Sequence, residues 1–309
     1  MELMIANKQS LMQRESLEEL NKRFIDYLDA KPRTIETYRK SLQPFFNYLA
    51  DKGITQPNRG DILSYRDSLQ ARLKPTTIAA YMTTVRLFFR WTQQEGLYPN
   101  VAEHVKGAKI SREHKKDALT SGQVKSILKD IPHDSLQGLR DYALFALMVT
   151  GGLRTIEVNR ANIGDLRTAG DSAALYIQGK GRDGKDEYIK LPQPVERAVR
   201  AYLTARGTIA QGEPLFASTS NNNQGQRMTT RSISGIVKGR MMAAGYTSDR
   251  LTAHSLRHTA ATLNLLAGGT LAETQMLLRH SNINTTMIYS HALDRANNHS
   301  EQRIAKAIF

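Results

Sequence analysis

Apolar side chains recur at helical spacing through the first hundred residues. Because positions three or four residues apart share one face of a helix, this pattern predicts four amphipathic helices. Turn residues at Lys31-Pro32, Gly53 and Lys74-Pro75 separate them, so a small helical domain is expected. The four apolar runs are Leu17, Leu20, Phe24 and Leu28; Ile35, Tyr38, Leu42, Phe45 and Leu49; Ile62, Tyr65 and Leu69; and Ile78, Met82, Val85 and Phe89.

Two of the predicted helices open with the same motif. Lys31-Pro32-Arg33-Thr34-Ile35 resembles Lys74-Pro75-Thr76-Thr77-Ile78, and the two are offset by 43 residues. Each opening puts a Lys and hydroxyl groups at a helix N-terminus, where backbone N–H groups and the helix dipole attract phosphate. Thr is also a good N-cap in its own right, so phosphate binding and simple capping both remain open. The candidate phosphate contacts are Lys31, Arg33, Thr34, Lys74, Thr76 and Thr77.

A polar, basic stretch from about residue 98 to residue 117 lacks apolar periodicity and predicts an interdomain linker. Thr120-x-x-Gln123 then matches a capping box, which opens the first helix of a second domain. The predicted boundaries are 1–105 for the helical domain, 106–118 for the linker and 119–309 for the second domain.

The second domain shows helical periodicity with one clear β signal. Residues 173–177 and 187–191 are rich in β-forming side chains, and they flank the glycine-rich segment 179–185. The glycines and the Asp183-Gly184 step suit a hairpin loop. The predicted fold class is therefore mainly α, with a small antiparallel β-sheet in the second domain.

Charge narrows the choice of partner. The chain of 309 residues holds 43 Lys and Arg against 29 Asp and Glu, for a net charge of +14, and both halves are positive. A polyanion is therefore the expected partner. The absence of Cys excludes disulfides, thiolate zinc sites and a Cys nucleophile. No apolar run approaches the roughly 18 residues needed to span a bilayer, and the start lacks a signal-peptide core, so a cytoplasmic protein is expected.

Two basic side chains of the second domain stand out because of the glycines beside them. Arg154 follows the Gly151-Gly152 pair that ends an apolar helix, and Glu157, three residues on, can orient it. Lys180 lies between two glycines at the predicted hairpin tip. Ligand binding remains open for both, beside the ordinary roles of a helix-start ion pair and a solvated loop lysine.

Two histidine-containing segments follow. In the segment 254–258 (HSLRH), both His residues and Arg257 share one helix face. Zinc binding is disfavoured because Ser255 replaces the Glu of the HExxH motif and the chain has no Cys, so a phosphate suits this face better. The last segment runs from His280 to Tyr289, and the ordinary role of Tyr289 would be that of a tyrosine in the core or at its rim.

The order of these residues resembles the tyrosine recombinase (phage integrase) family. The resemblance covers nearly the whole chain, because four helices and a basic linker also resemble the family's SAM-like core-binding domain. Arg279 is a departure, since many relatives have Gly before the histidine, and the Gly151-Gly152 pair is slightly unusual. The motifs are TGGLRTIEV around Arg154, QGKGRDGK around Lys180, AHSLRHTAAT around His254 and Arg257, and LLRHSNINTTMIYSH around His280 and Tyr289.

The resemblance implies a specific chemistry. Arg154 and Arg257 would neutralise the phosphodiester, and His280 would donate to the same oxygens. Tyr289 would attack phosphorus while His254 helps to take its proton, giving a covalent 3′-phosphotyrosine that needs no ATP. Lys180 would protonate the departing 5′-oxygen. His258 is assigned to helix packing, and neither a metal nor another cofactor is expected.

The resemblance also implies partners and assembly. Two domains would close as a C-shaped clamp on double-stranded DNA with an inverted-repeat core site, and Arg182 joins the candidate DNA contacts. Four protomers on two sites would exchange strands through a Holliday junction in the nucleoid. Each would donate its C-terminal tail in trans, through Ile304, Ala305, Ile308 and Phe309, while packing of the tail on its own catalytic domain remains the alternative. A DNA-bending or excision factor could assist.

Several biological roles are compatible with the resemblance to tyrosine recombinases. Xer-type dimer resolution and the integration or excision of a mobile element are both open. The segment before the first predicted helix is too short for the arm-binding domain that many phage integrases carry. This favours a Xer-like integrase or the integrase of a simple mobile element. The alternatives from other classes are a type IB topoisomerase-like enzyme and a non-catalytic DNA-binding relative. The intact set of candidate catalytic residues argues against the last of these.

Overall fold

The structure, a computed structural model, describes residues 17–109, 117–179, 182–207, 210–289 and 300–309. The chain divides after Glu113 into two compact units. Each unit buries a hydrophobic core of its own.

The amino-terminal unit contains the four helices that periodicity predicts. Their apolar faces meet in a core rich in aromatic rings, where Phe88 makes edge contacts with Phe24 and Phe46 at centroid distances of 5.5 and 5.3 Å. The helices are α1 (Leu17–Tyr27), α2 (Pro32–Asp51), α3 (Arg59–Gln70) and α4 (Pro75–Gln94).

The repeated openings adopt the same local structure. Lys31 and Lys74 are the N-cap residues of α2 and α4, with extended backbones (φ −61°, ψ 144° and φ −68°, ψ 146°), and Pro follows each at the first helical position. Neither N-cap side chain makes a capping hydrogen bond. The threonines therefore lie inside the first turn and are not the N-caps.

Part of the predicted linker stretch packs onto the amino-terminal unit. Ala102 and Val105 are buried in its core, and Arg86 Nη1 on α4 donates to the Val105 carbonyl at 2.8 Å. The few apolar side chains of this polar run hold it down, although they are too sparse to show periodicity. Residues 110–116 lie outside the described residues.

The second unit is mostly helical with one small sheet, as the sequence predicts. Thr120 forms the predicted capping box with Gln123 at the start of α5, through bonds of 3.2 and 2.8 Å. The helices are α5 (Ser121–Asp130), α6 (Leu136–Gly151), α7 (Thr155–Arg160), α8 (Gln193–Arg206), α9 (Thr230–Ala243), α10 (Ala253–Leu266), α11 (Leu271–Leu278), α12 (Asn284–Met287) and α13 (Ser300–Ile308).

The sheet has three antiparallel strands in the order β1 (Leu166–Ala169), β2 (Ser172–Ile177) and β3 (Glu187–Lys190). The predicted hairpin is the pair β2 and β3, in which Leu175 lies opposite Ile189. Strand β1 was not predicted, because its four residues, Leu-Arg-Thr-Ala, carry no alternation. Among the helices in the described ranges, none has the length and apolar character that crossing a membrane requires.

Candidate active site

Helix α6 positions the first arginine of the site. This helix is buried on nearly all sides and ends at Gly152, whose left-handed backbone (φ +56°) turns the chain. A side chain at Gly152 would also collide with Leu278, since a Cβ there would lie 2.8 Å from Leu278 Cδ2. The turn brings Arg154 to the N-cap of α7, at the mouth of the site.

Glu157 orients Arg154 as the sequence predicts. Its fully buried carboxylate accepts the Arg154 backbone N–H at Oε2 and Arg154 Nη1 at Oε1, both at 2.8 Å. Burial alone would raise the pKa of Glu157, but the charge of Arg279 and the bonds from Arg154 outweigh it and lower that pKa. Glu157 is therefore a carboxylate at neutral pH.

Arg257 is held in the interior by backbone carbonyls. It projects from α10 and is 1% exposed; Nη1 donates to the Gly152 carbonyl at 2.6 Å, and Nη2 donates to the Leu278 carbonyl. Burial and the positive charge of Arg154 lower its pKa to about 9, although Glu157 acts in the opposite direction. Arg257 is still protonated at neutral pH.

A third arginine lies in the same cluster. Arg279 ends α11 in a left-handed conformation (φ +55°), and its Nη2 donates to Glu157 Oε2 at 3.0 Å. The side chain is only 5% exposed. In the sequence this residue is a departure from the family pattern, and the resemblance implies no role for it. The signal available was the motif position itself, since a Gly-preferring site marks a positive φ.

His280 follows directly. Its Nδ1 lies 2.9 Å from Thr286 Oγ1, which fixes the ring. Burial first, and then nearby positive charges led by Arg257 and Arg154, lower the pKa of His280 to about 4. The ring is therefore neutral at neutral pH and can present one N–H donor.

Tyr289 is 3% exposed, and its hydroxyl contacts His258, not His254. The Oη to His258 Nδ1 distance is 2.6 Å, and the ring of His254 in turn meets His258 edge-on at 4.8 Å. Burial raises the pKa of Tyr289 to about 12, although the charges of Arg257 and Arg154 act to lower it. His258, which the sequence assigned to packing, is therefore the direct hydrogen-bond partner of this hydroxyl.

The hairpin loop is anchored near the site. Lys180 lies outside the described residues, while Gly179 before it accepts a bond from Arg160 Nη1 at 3.1 Å. Lys185 donates to Asp165 and to the Arg160 carbonyl, so it ties the loop to the end of α7.

One cleft of the second unit brings most of the predicted residues together. Arg154, His254, Arg257 and His280 all line it, and so do Gly179, Arg182, Arg279 and Thr285. Tyr289 does not line this cleft; its hydroxyl lies on the His258 side. Arg182 pairs with Glu187 at 2.9 Å and is half-exposed. Glu187 also lines the cleft and pairs with Arg182, so the charges of Arg154, Arg257 and Arg279 leave the lining positive, which suits a phosphate.

Comparison with known proteins identifies the family. The model of the phage integrase family matches residues 117–296. The chain belongs to the phage integrase family. A second model, the N-terminal SAM-like domain of phage integrases, matches residues 22–96. The predicted family is confirmed, and the matched residues include every candidate catalytic residue of this phage integrase.

Its relatives are tyrosine recombinases. The chain is 31% identical over 288 residues to tyrosine recombinase slr0733 of Synechocystis, with 88% of this chain and 89% of that protein covered. It is 32% identical over 274 residues to tyrosine recombinase XerC of Herpetosiphon aurantiacus, with 85% and 86% covered.

Solved structures agree on the fold. The recombinase XerH bound to a palindromic difH substrate matches with a TM-score of 0.72 at 21% identity, over 92% of this chain and 84% of that one. A lambda integrase dimer bound to a COC′ core site matches with a TM-score of 0.70 at 17% identity, over 88% and 97%. The predicted fold class is therefore confirmed.

Proposed function

We propose that this phage integrase family member is a site-specific DNA recombinase that cleaves and rejoins duplex DNA through a 3′-phosphotyrosine at Tyr289. The observation that carries the proposal is the cleft lined by Arg154, His254, Arg257 and His280, because the ring of His254 meets His258, which lies 2.6 Å from the Tyr289 hydroxyl. Cleavage of DNA by a phenol needs this combination of charge neutralisation and a nearby hydroxyl.

The two arginines of the cleft neutralise the scissile phosphate. Each presents a planar fork of N–H donors, which matches the non-bridging oxygens of a phosphodiester. Neutral His280 adds an N–H donor without adding charge, since its pKa lies near 4. The excess positive charge favours the transition state, in which negative charge spreads over the equatorial oxygens.

The reaction conserves the energy of the DNA bond. Tyr289 Oη bonds to phosphorus as the bond to the 5′-oxygen breaks. The phenol proton passes to His258 Nδ1, its 2.6 Å neighbour, because a pKa near 12 leaves Tyr289 protonated at neutral pH. His254 stands beside His258 as a second base. The 5′-oxygen takes its proton from Lys180, and attack by a new 5′-hydroxyl reverses the step.

Both units contribute to DNA binding. In the amino-terminal unit, the two matching helix openings expose Lys31 and Lys74 with Arg33, Thr34 and Thr76 beside them, while Thr77 is half-buried. Backbone N–H groups of a first turn favour phosphate. In the second unit, half-exposed Arg182 lies at the edge of the cleft and can reach the DNA backbone.

Assembly uses the C-terminal helix. Helix α13 has no buried residue, and Ile304, Ile308 and Phe309 are 58%, 68% and 102% exposed. A short helix with a bare apolar stripe needs a surface to pack on. A neighbouring protomer offers one, and a cyclic tetramer on two DNA sites follows from such head-to-tail contacts. A related structure is a lambda integrase tetramer bound to a Holliday junction, with a TM-score of 0.65.

The biological role that these relatives favour is Xer-type resolution of DNA dimers, because the named relatives include XerC and XerD proteins. Integration of a mobile element uses the same chemistry and differs only in the DNA sites.

The test begins with the DNA site. The full chain selects its preferred duplex from a random-sequence library, and two copies of that duplex are placed in one supercoiled plasmid. Site-specific deletion or inversion between the copies is the expected result. Relaxation of supercoils without recombinants would point to topoisomerase chemistry, and binding without cleavage would point to a non-catalytic relative. Either outcome overturns the proposal.

A further inference from the structure

Arg279 occupies a backbone position that does not favour it. The residue ends α11 with φ 55° and ψ 47°, in the left-handed region where a Cβ is strained and Gly fits best. Strained residues persist only where surrounding structure holds them, and they concentrate at functional sites. The side chain at this position therefore calls for a reason beyond ending a helix.

The guanidinium of Arg279 is built into the site. Nη1 donates to the carbonyls of Leu277 at 2.5 Å and Gly151 at 3.2 Å, and Nη2 donates to Gly152 at 3.2 Å and to Glu157 at 3.0 Å. The side chain is 5% exposed, and the Nε atom is buried with no hydrogen-bond partner among the described residues. A solvated surface arginine would show none of these contacts.

Two of the four acceptors of Arg279 also bind the other two arginines. Oε2 of Glu157 receives both Arg279 and the backbone N–H of Arg154, while Oε1 receives the Arg154 guanidinium. The Gly152 carbonyl receives both Arg279 and Arg257. A change at Arg279 therefore reaches Arg154 through a carboxylate and Arg257 through a carbonyl.

We propose that Arg279 is a third active-site arginine, a positioning residue that fixes Arg154 through Glu157 and Arg257 through the Gly152 carbonyl while adding positive charge beside the phosphate. The inference rests on the proposed function. Arg279 lines the same cleft as the two arginines it orients. Arg154 and Arg279 both pair with Glu157, while Arg257 is held by the Gly152 and Leu278 carbonyls, so these three guanidinium groups outnumber the carboxylate of Glu157.

The excess charge matters most in the transition state. A phosphodiester in the ground state carries one negative charge, whereas more negative charge develops on its equatorial oxygens as the nucleophile adds. Loss of Arg279 should therefore slow covalent cleavage and leave non-covalent DNA binding nearly unchanged. A role confined to packing would produce the opposite split, with lower stability and a normal rate for the folded fraction.

The test uses the full chain and the duplex recovered by site selection, nicked so that the covalent adduct is trapped. Two versions of the duplex are compared, one with a normal scissile phosphate and one with a neutral methylphosphonate there. The variants are Arg279→Gly, which suits the left-handed backbone, and Arg279→Lys, which keeps the charge without the fork. Arg200→Ala is the charge-matched control, because Arg200 is exposed on α8 and pairs with Glu196, four residues before it.

We expect Arg279→Gly to cleave the normal duplex roughly 10–100-fold more slowly, a smaller loss than that of a direct oxyanion donor. The defect should shrink on the methylphosphonate, which needs less charge neutralisation, and Arg279→Lys should be intermediate on the normal duplex. Arg200→Ala should match the wild type on both.

Three results would overturn the inference or its basis. Wild-type cleavage rates for Arg279→Gly would remove the role altogether. Equal slowing on both duplexes, with Arg279→Lys no better than Arg279→Gly, would show that the charge of Arg279 does not act on the phosphate. A wild-type chain that forms no adduct on either duplex would refute the proposed function itself, and this inference with it.

Discussion

Glu157 holds two arginines of the site through one fully buried carboxylate, and Glu157→Gln removes its charge while keeping its size. The carboxylate accepts three N–H donors, two from Arg154 and one from Arg279, at 2.8–3.0 Å. A Gln side chain offers a single acceptor oxygen and turns an NH₂ group toward at least one of these donors. The variant therefore breaks the ion pairs and creates a donor–donor conflict.

The size of the effect follows from burial. Arg279 is 5% exposed and Arg154 is 26% exposed, so at least one guanidinium would be left in the interior without a counterion. Breaking a buried pair by removing one partner costs about 3–5 kcal/mol. We expect the free energy of unfolding of the second unit to fall by that amount at neutral pH. The matched control is Glu196→Gln, whose exposed pair with Arg200 on α8 should cost only about 0.3–0.5 kcal/mol.

The pKa of Glu157 fixes the direction in which its contribution to stability changes with pH. The folded structure lowers the pKa of Glu157 below its ordinary value of 4.5, so ionised Glu157 stabilises the fold fully above that value. The stabilisation is lost as the pH falls through the folded pKa. The difference in unfolding free energy between wild type and Glu157→Gln should therefore be constant near neutral pH and shrink in acid.

Urea unfolding followed by far-UV circular dichroism measures this difference. The single Trp of the chain, Trp91, lies in the amino-terminal unit, so its fluorescence provides an internal reference that should not shift. A loss below about 1 kcal/mol, the scale of an exposed pair, would refute the reasoning. A difference that stays constant through the acid range would refute the assigned charge state.

Three further predictions concern the nucleophile, the leaving group and assembly. His258→Gln should slow cleavage by roughly 10²-fold or more at neutral pH, with the loss shrinking at high pH as the Tyr289 phenol ionises unaided; an equal loss at every pH would assign His258 to packing. Lys180→Ala should slow cleavage by roughly 10²–10⁴-fold and recover on a duplex with a 5′-bridging sulfur, which leaves without a proton. Lys185→Ala should instead lower stability, because the Lys185 ammonium is bound to Asp165. If the sulfur duplex restored cleavage by Lys185→Ala and not by Lys180→Ala, Lys185 would be the general acid and Lys180 would not. Deleting residues 301–309 should leave single-site binding intact and abolish pairing of two sites, whereas normal recombination by the truncated chain would exclude tail docking in trans.

The pattern of apolar, β-forming and turn residues along the chain predicts most of the helices and strands. The four helices of the amino-terminal unit follow from apolar spacing, and the β2–β3 hairpin follows from β-forming runs around glycines. The sequence does not predict strand β1, because its four residues are too few to show a period. Ala102 and Val105 are isolated among polar neighbours and show no period, and both are buried within the predicted domain 1–105.

Contacts between residues that are far apart in the sequence are the part of the site that the sequence could not predict. The motif order identified the arginines, histidines and tyrosine, but it could not show which histidine the Tyr289 hydroxyl would meet. His258 and Tyr289 are 31 positions apart, and the contact depends on how α10 and the segment after α12 pack. The link from Arg279 to Glu157 spans 122 positions and likewise has no local signature.

The identity of the covalently linked residue tests the central claim most directly. The full chain is trapped on the nicked duplex recovered by site selection, digested with protease and nuclease, and analysed by mass spectrometry. We expect a nucleotide bonded through a 3′-phosphate to Tyr289, and no adduct in a Tyr289→Phe variant that still binds the duplex. An adduct on any other residue, or a covalent complex formed by Tyr289→Phe, would contradict the central claim.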